Sequence, residues 1–285
     1  MSTINDLFQQ FLKERRYLSN LAETTLTYYE EVFNNFQRTG AFETLTRACI
    51  NQAIVAIRER GVSAGAVNSY IRGINPFLRW LFENGNVSES LTLKPLKAEK
   101  RLLRSLSDKE LRAIFRFKPQ TEPQKRLQTI LLLIADTGLR VNEALSLQKS
   151  KIDFDNLLLS VIGKGNKERI VPFSYTLRKI LFKHLKGHKF ELVFCTRDGA
   201  KLSYDNVRRD LNAIKDELGI KDTGGAFHVF RRTFATNYIR NKGNPLVLQR
   251  LLGHSTLSQT AAYVKLVVDD LQEEQHRTSL LNRLH

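Results

Sequence analysis

The sequence has few cysteines, and this scarcity narrows the classes of protein that it could encode. Its 285 residues include only two, Cys49 and Cys195, which lie far apart and in apolar surroundings. Neither their number nor their spacing fits a disulfide-stapled fold or a cysteine-based metal site. We therefore expect a reducing, cytoplasmic location, no bound metal ion and no cofactor.

Long apolar runs are also missing. The most apolar helix candidate, residues 129–135, is far shorter than the stretch of about 20 residues that crosses a bilayer. Residues 1–6 lack the charged-then-apolar pattern of a secretion signal. No G-x-x-x-x-G-K-[ST] motif occurs, which excludes a Walker phosphate-binding loop. The sequence thus predicts neither a membrane protein nor a P-loop enzyme.

Acidic residues are the third deficit. The chain has 29 Asp and Glu against 45 Lys and Arg, which gives a net charge of +16. Residues 1–95 carry 10 basic and 9 acidic residues (net +1), whereas residues 96–285 carry 35 and 20 (net +15). This excess favours a polyanionic partner, with nucleic acid ahead of an anionic membrane surface. A basic soluble enzyme without such a partner also fits the charge alone.

The first part of the chain shows helical spacing of apolar residues. The periodicity predicts four helices, over residues 3–17, 22–38, 44–60 and 63–84. Ser63 is a candidate N-cap, and Pro76 should kink the fourth helix. These helices define a predicted domain over residues 1–90. Its composition alone also fits a dimerisation or protein-binding module.

A basic segment, residues 91–106, follows this domain and is predicted to be a linker. Its lysines and arginines could track a phosphate backbone and displace its counterions. A solvated linker is the alternative, because charge runs are usually exposed. We favour contact with DNA, and the predicted contact residues are Lys94, Lys97, Lys100, Arg101 and Arg104.

A second domain is predicted over residues 107–285. The capping box of Ser107 and Glu110 marks its start. The pattern predicts an α-rich domain with a small antiparallel sheet, in which residues 163–166 form a hairpin turn with Lys164 at its tip. The predicted strands cover 152–154, 157–162, 167–173 and 192–195, and the helices cover 107–117, 124–137, 140–145, 174–186 and 203–218, with a helical tail after Tyr263.

Several residues of this domain together suit attack on a phosphodiester. The non-bridging oxygens need cations, and an arginine fork binds them in pairs, which makes Arg140 and Arg231 candidates. His228 lies three positions before Arg231 on the same predicted helix, so both face one pocket. Proton transfer and nucleophilic attack need further groups. The candidates are Lys164, His254 after a glycine, and Tyr263, whose phenol would need nearby cations because its free pKa is about 10.

The order and spacing of these motifs resemble the tyrosine recombinases, also called the lambda-integrase family, and within it the compact Xer-type members. The resemblance runs through TGLRVNEAL (137–145), GKGNKERIVP (163–172), HVFR (228–231), LLGHS (251–255) and Tyr263. It covers the whole second domain. The N-terminal helices are similar to the SAM-like core-binding domain of the family, although less strongly patterned. One departure is Arg232, where many relatives carry histidine; it is a candidate additional contact to the DNA backbone.

The resemblance implies a role for each matching residue. Arg140 and Arg231 would clamp the scissile phosphate, and Tyr263 would attack it to form a 3′-phosphotyrosyl link. Lys164 would protonate the leaving 5′ oxygen. The remaining roles fall to three residues: His228 as a base or proton relay, His254 as a phosphate ligand, and Glu143 as a support for the site. By itself, Glu143 also fits a surface ion pair on a helix.

The resemblance also implies an assembly and a substrate. Four protomers would join two double-stranded DNA sites with inverted-repeat cores and exchange strands through a Holliday junction, with or without accessory DNA-binding proteins. The short chain favours resolution of cointegrates or dimers of a mobile element or replicon. Three alternatives stay open: a phage-type or conjugative-element integrase, a topoisomerase of related chemistry, and a catalytically inactive DNA-binding regulator on the same fold.

Overall fold

The computed structural model describes residues 3–98, 104–163, 168–221, 224–254, 256, 260, 261, 263 and 279. It divides the chain into two compact units, Met1–Arg101 and Leu102–His285. The division falls inside the segment predicted to be a linker. As predicted, the described chain is mainly helical, with one small antiparallel sheet.

Unit 1 contains four helices: α1 (Ile4–Tyr17), α2 (Glu23–Gln37), α3 (Arg47–Glu59) and α4 (Ala64–Glu83). The predicted boundaries agree to within a few residues because apolar spacing and N-caps both mark them, as Ser63 does for α4. The helix α4 continues through Pro76. Aromatic rings fill the core, where Phe77 packs edge-on against Phe8 and Phe33 with ring centroids 5.1 and 5.7 Å apart.

The first part of the predicted linker is fixed to unit 1. Two asparagines of α4 each clamp one of its residues by accepting from the backbone N–H and donating to the carbonyl. Asn75 holds Leu93 at 2.8 and 2.9 Å, and Asn68 holds Leu96 at 2.7 and 2.9 Å. Residues 91–97 therefore form an ordered strap beside α4 rather than a solvated linker.

Unit 2 is built around one long helix. Its helices are α5 (Asp108–Arg116), α6 (Glu122–Thr137), α7 (Val141–Leu145), α8 (Tyr175–Leu185), α9 (Tyr204–Glu217), α10 (His228–Arg240) and α11 (Pro245–Leu252). The helix α6 is central because it is apolar around much of its circumference, and it packs against α8, α9 and α10. It ends at Gly138, whose φ of +68° suits a residue without a Cβ.

The sheet consists of β1 (Ile152–Asp153), β2 (Leu158–Ile162) and β3 (Glu168–Pro172) in the order β1-β2-β3, with antiparallel pairing throughout. Leu159, Val161 and Val171 face the core, as the period-two pattern predicts. The predicted strand over 192–195 is wrong. That segment forms only isolated bridges, Gln148 with Leu192 and Cys195 with Lys201, because no continuous partner strand lies beside it.

Candidate active site

The first residues of α10 supply two of the predicted site residues. His228 begins the helix and Arg231 follows one turn later, so both project to the same side. Arg231 is almost fully buried, with an exposed fraction of 4%. Its Nη1 donates to the Gly138 carbonyl at 2.7 Å and its Nη2 to the Leu252 carbonyl at 2.6 Å. Two helix ends, those of α6 and α11, thus orient this guanidinium.

Arg140 lies at the start of α7 and is paired with Glu143. The Glu143 carboxylate accepts from the Arg140 backbone N–H at 2.7 Å and from its Nη1 at 3.0 Å. Arg140 Nη2 donates to the Gly253 carbonyl at 3.2 Å. The sequence alone also allowed a surface ion pair for Glu143, but its side chain is only 6% exposed. A buried carboxylate therefore holds Arg140 in place.

His254 and Tyr263 lie side by side after α11. Gly253 ends the helix with φ +61°, and His254 follows it directly. The rings of His254 and Tyr263 are stacked, with centroids 6.3 Å apart and planes 16° apart. His254 Nδ1 is 3.0 Å from the Thr260 hydroxyl. Tyr263 is half-buried against an apolar cluster formed by Ala235, Leu248 and Leu252.

A cavity of about 610 Å³ lies between the start of α7 and the start of α10, and its described lining residues do not include His254 or Tyr263. Arg140, His228 and Arg231 line it together with Tyr204 and Gly163. Gly163 directly precedes Lys164 in the chain, and Lys164 itself lies outside the described residues. The structure thus brings Arg140 together with His228 and Arg231, which lie about 90 residues later in the chain, around a space large enough for a phosphodiester.

Burial and positive charge set the protonation of both histidines. Burial, followed by the charges of Arg231 and Arg140, lowers the pKa of His228. The same causes lower the pKa of His254 to about 4. Burial and then Arg140 lower the pKa of Arg231 to about 10. At neutral pH both imidazoles are therefore neutral in the DNA-free protein, whereas the guanidinium keeps its charge.

The predicted DNA-contacting residues have diverse surroundings. Lys94 and Lys97 are exposed on the strap of unit 1, whereas Lys100 and Arg101 lie outside the described residues. Arg104 forms a two-bond ion pair with Glu110, both bonds 2.8 Å long. Arg232 is buried, and its Nε donates to the Arg104 carbonyl at 2.8 Å. Both arginines thus help to secure the beginning of unit 2 to α10.

Two residues of the site carried no assignment from sequence. Arg169 of β3 donates to both oxygens of Glu143, at 2.8 and 2.9 Å. Thr260 orients His254, as described above. Arg169 lies within the GKGNKERIVP motif, so the motif marked it, but the spacing did not reveal its partner. No sequence signal distinguished Thr260.

Within the described ranges, no three or more His, Cys, Asp or Glu side chains are grouped so that they could hold a metal ion. None of the described helices is both long and apolar enough to cross a membrane.

Two helical units, with arginine, histidine and tyrosine side chains gathered in the second, are typical of enzymes that transfer phosphodiesters without a nucleotide-binding loop. Comparison with known proteins agrees. The model of the phage integrase family matches residues 104–268. A tyrosine recombinase, XerA, of Thermococcus onnurineus is 30% identical over 290 residues, which is 100% of this chain and 99% of the relative.

Solved structures share the fold. The Tn1549 transposon integrase in complex with transposon right end DNA superposes with a TM-score of 0.79 at 15% identity, covering 96% of this chain and 99% of that one. A lambda integrase dimer bound to a core site gives a TM-score of 0.77 at 19% identity, covering 92% and 95%. The chain therefore belongs to the phage integrase family and is a tyrosine recombinase of the Xer type, an enzyme that cleaves and rejoins DNA.

Proposed function

We propose that the cavity is the active site for site-specific recombination and that Tyr263 becomes linked to a 3′ phosphate of DNA. One observation carries the proposal. Arg140, His228 and Arg231 line a single cavity, and both arginines are bonded to the end of α11, which presents His254 beside Tyr263. Hydrogen bonds thus join Arg140 and Arg231 to the helix end that presents His254 and Tyr263, and His228 lines the same cavity as the two arginines.

The two arginines stabilise the charge that develops on the phosphate. Each guanidinium has five N–H donors in a planar fork. Within the described chain, Arg231 donates two of its N–H groups to the carbonyls of Gly138 and Leu252. Its other N–H groups can therefore donate to the non-bridging oxygens of a phosphate. Because both cations are fixed before DNA arrives, little reorganisation is needed in the transition state.

Each change of bonding at phosphorus is accompanied by a proton transfer. As the Tyr263 oxygen bonds to phosphorus and the bond from phosphorus to the 5′ oxygen breaks, the phenolic proton passes to His228. Lys164 gives a proton to the 5′ oxygen. The lowered pKa of His228 keeps it neutral and able to accept. Thr260 can donate to Nδ1 of His254, which leaves its Nε2–H for a phosphate oxygen. Rejoining reverses these steps, without ATP or a metal ion.

Unit 1 is the second DNA-binding part of this proposal. A cleft of about 440 Å³ is lined by Arg15, Arg72 and Arg79, with Tyr29 and Asn75, and none of the described lining residues is acidic. The Nε of Arg15 is buried without a hydrogen-bond partner in the described chain. An orphaned guanidinium N–H beside two exposed arginines suits a phosphate oxygen. Replacing Arg72 and Arg79 with glutamine should lower the salt dependence of DNA binding by about one ion per lost contact.

The basic residues around the unit boundary extend this surface. Lys94 and Lys97 are exposed on the strap, and Lys100 and Arg101 follow them in sequence. We also assign Arg104 and Arg232 to the DNA backbone, with a smaller contribution, because each is already engaged with the protein.

We propose a specific substrate, assembly and biological role for the enzyme. The substrate is double-stranded DNA with inverted-repeat core sites, and four protomers exchange strands between two sites through a Holliday junction. We also propose that the tail after Tyr263, which apart from residue 279 lies outside the described residues, links neighbouring protomers. The enzyme resolves cointegrates or dimers of a mobile element or replicon in the cytoplasm, with accessory DNA-binding proteins giving direction.

A nicked suicide substrate tests the chemistry. The native chain should form a covalent complex with DNA, and Tyr263→Phe should form none while binding DNA with an unchanged Kd. Tyr238→Phe is the matched control, because Tyr238 packs in the same apolar cluster. A covalent complex with Tyr263→Phe would refute the nucleophile. The absence of any complex with the native chain would support an inactive regulator, and relaxation of supercoils without recombination of two cognate sites would support a topoisomerase.

A further inference from the structure

The carboxyl end of α11 is held by three different arginines. The Leu251 carbonyl accepts from Arg169 Nε at 2.9 Å, and the next two carbonyls, of Leu252 and Gly253, accept from Arg231 and Arg140. Consecutive carbonyls at a helix end lack partners within the helix and carry partial negative charge. The turn that leads to His254 is therefore fixed by cations from β3, α10 and the start of α7.

Arg169 differs from the other two arginines in what it can contact. Its Nη1 and Nη2 bond to Glu143 and its Nε bonds to Leu251, so every nitrogen of its guanidinium is used inside the protein. Its side chain is 13% exposed, whereas that of Arg140 is 33% exposed. Among the described residues that line the cavity, Arg140 and Arg231 supply the guanidinium groups. Arg169 is not among those lining residues, so it is placed to support the other two arginines rather than to contact a phosphate.

Glu143 is the link between Arg169 and Arg140. Its Oε1 accepts from Arg169 Nη1 at 2.8 Å and from Arg140 Nη1 at 3.0 Å, and its Oε2 accepts from Arg169 Nη2 at 2.9 Å. Burial raises the pKa of Glu143, but the bonds and charges of the two arginines outweigh burial and lower it. The two-bond contact with Arg169 fixes the plane of the carboxylate, and that plane determines where Arg140 lies.

The strand that carries Arg169 connects this network to the hairpin. Arg169 is paired with Val161 in the register of β2 and β3. A Cβ on Gly253 would lie 3.2 Å from Arg169 Nη1, so the helix end packs closely on the guanidinium. Arg169 thus lies on the second strand of the hairpin, and its side chain contacts both the acid that holds Arg140 and the helix that leads to His254.

We propose that Arg169 is a positioning residue, which sets Arg140 through Glu143 and sets the turn of His254 through the Leu251 carbonyl. The inference rests on the proposed function, in which Arg140 binds the scissile phosphate. It predicts that loss of Arg169 slows cleavage without weakening DNA binding, because a displacement of about 1 Å in a reacting group can cost roughly 10²-fold in rate.

The test measures single-turnover cleavage of a nicked suicide substrate at saturating DNA, and the Kd for DNA separately. Arg169→Gln should slow cleavage by roughly 10- to 100-fold and change Kd by less than about threefold. Arg169→Lys should not restore the rate, because an ammonium cannot bond both carboxylate oxygens and the carbonyl together. Arg126→Gln is the matched control, since Arg126 also donates to a loop carbonyl of unit 2, that of Cys195 at 2.7 Å. Its cleavage rate should stay within about twofold.

Dependence on Arg140 separates positioning from a general loss of structure. In an Arg140→Lys background, Arg169→Gln should slow cleavage by a clearly smaller factor than in the native chain, because one of the two groups that it positions is already changed. A full additional loss there, or an equal loss with Arg126→Gln, would overturn the proposal. If Arg140→Lys alone cleaves at the native rate, the proposed function fails. If Arg140→Lys is slow and Arg169→Gln is fast, only this inference fails.

Discussion

Replacing Gly138 with alanine tests how tightly the turn whose carbonyl holds Arg231 is packed. Gly138 has φ +68°, a left-handed conformation that costs a residue with a Cβ about 1–2 kcal/mol. The new Cβ would lie 2.5 Å from Phe234 Cδ1 and 2.9 Å from Leu252 Cδ2. Relieving such overlap typically costs a further 1–3 kcal/mol or so. Gly138→Ala should therefore lower the free energy of unfolding of unit 2 by about 2–5 kcal/mol.

Gly219 provides a matched control in the same unit. It follows α9 with φ +65°, and no described atom lies within 4 Å of its Cβ position. Gly219→Ala should thus lower the free energy of unfolding only through the unfavourable left-handed backbone conformation, by about 1–2 kcal/mol. Urea unfolding followed by circular dichroism measures the difference in free energy of unfolding between the two variants. Because this free energy falls by about 2 kcal/mol per molar urea, a difference of about 2 kcal/mol separates their unfolding midpoints by about 1 M. Trp80 is the one tryptophan and lies in unit 1, so its fluorescence transition should not move.

The same pair of variants tests the connection to catalysis. The Gly138 carbonyl accepts from Arg231 Nη1 at 2.7 Å, so movement of this turn displaces the guanidinium. Cleavage by Gly138→Ala should slow by roughly tenfold or more, while Gly219→Ala should keep the native rate to within about twofold. Equal losses of stability in the two variants would refute the packing argument, and equal cleavage rates would refute the connection to Arg231.

Three further predictions concern pH and ions. In the DNA-free protein, His254 should titrate near pH 4; NMR should show its signals unmoved between about pH 5.5 and 8, and Arg231→Ala should raise the midpoint. The hydrogen bonds from Arg104 lower the pKa of Glu110 to about 2 from 4.5. A carboxylate whose pKa is lowered in the folded state stabilises the fold above its unfolded pKa, and this stabilisation is lost as the pH falls towards the folded pKa. The difference in free energy of unfolding between the native and Glu110→Gln proteins should therefore shrink as the pH falls from 4.5 towards 2. Urea titrations at each pH measure this difference. Cleavage should survive EDTA and binding should weaken steeply with salt; a strict need for magnesium would contradict the metal-free mechanism.

Local chemistry explains why most elements were predictable from sequence. Apolar spacing located α1 to α4, and N-caps such as Ser63 and Ser107 marked helix starts to within a residue. The segment over 192–195 shows the limit of this reasoning. Its apolar residues are buried, but a strand also needs a partner along its length, and the chain supplies only single bridges there.

The strap over residues 91–97 shows a similar limit. Its charge predicted a linker that contacts DNA, with a solvated linker as the alternative. The side chains of Lys94 and Lys97 are indeed exposed, yet the backbone is bonded to Asn68 and Asn75. An asparagine inside a helix gives no sign in the sequence of which distant carbonyl its amide will meet.

The sequence by itself determined the chemical groups of the site, their order, and the local turns that present them. His228 and Arg231 share a helix face because the helical period places residues three apart together. Only the folded structure shows that Arg140 and Arg231, 91 residues apart in the chain, are brought together through the carbonyls of Gly138, Leu252 and Gly253. It also decided that Arg169 pairs with a buried Glu143. Such contacts follow from how the end of α11 packs against β3 and α7. The spacing of residues along the sequence does not reveal how close these elements lie in the fold.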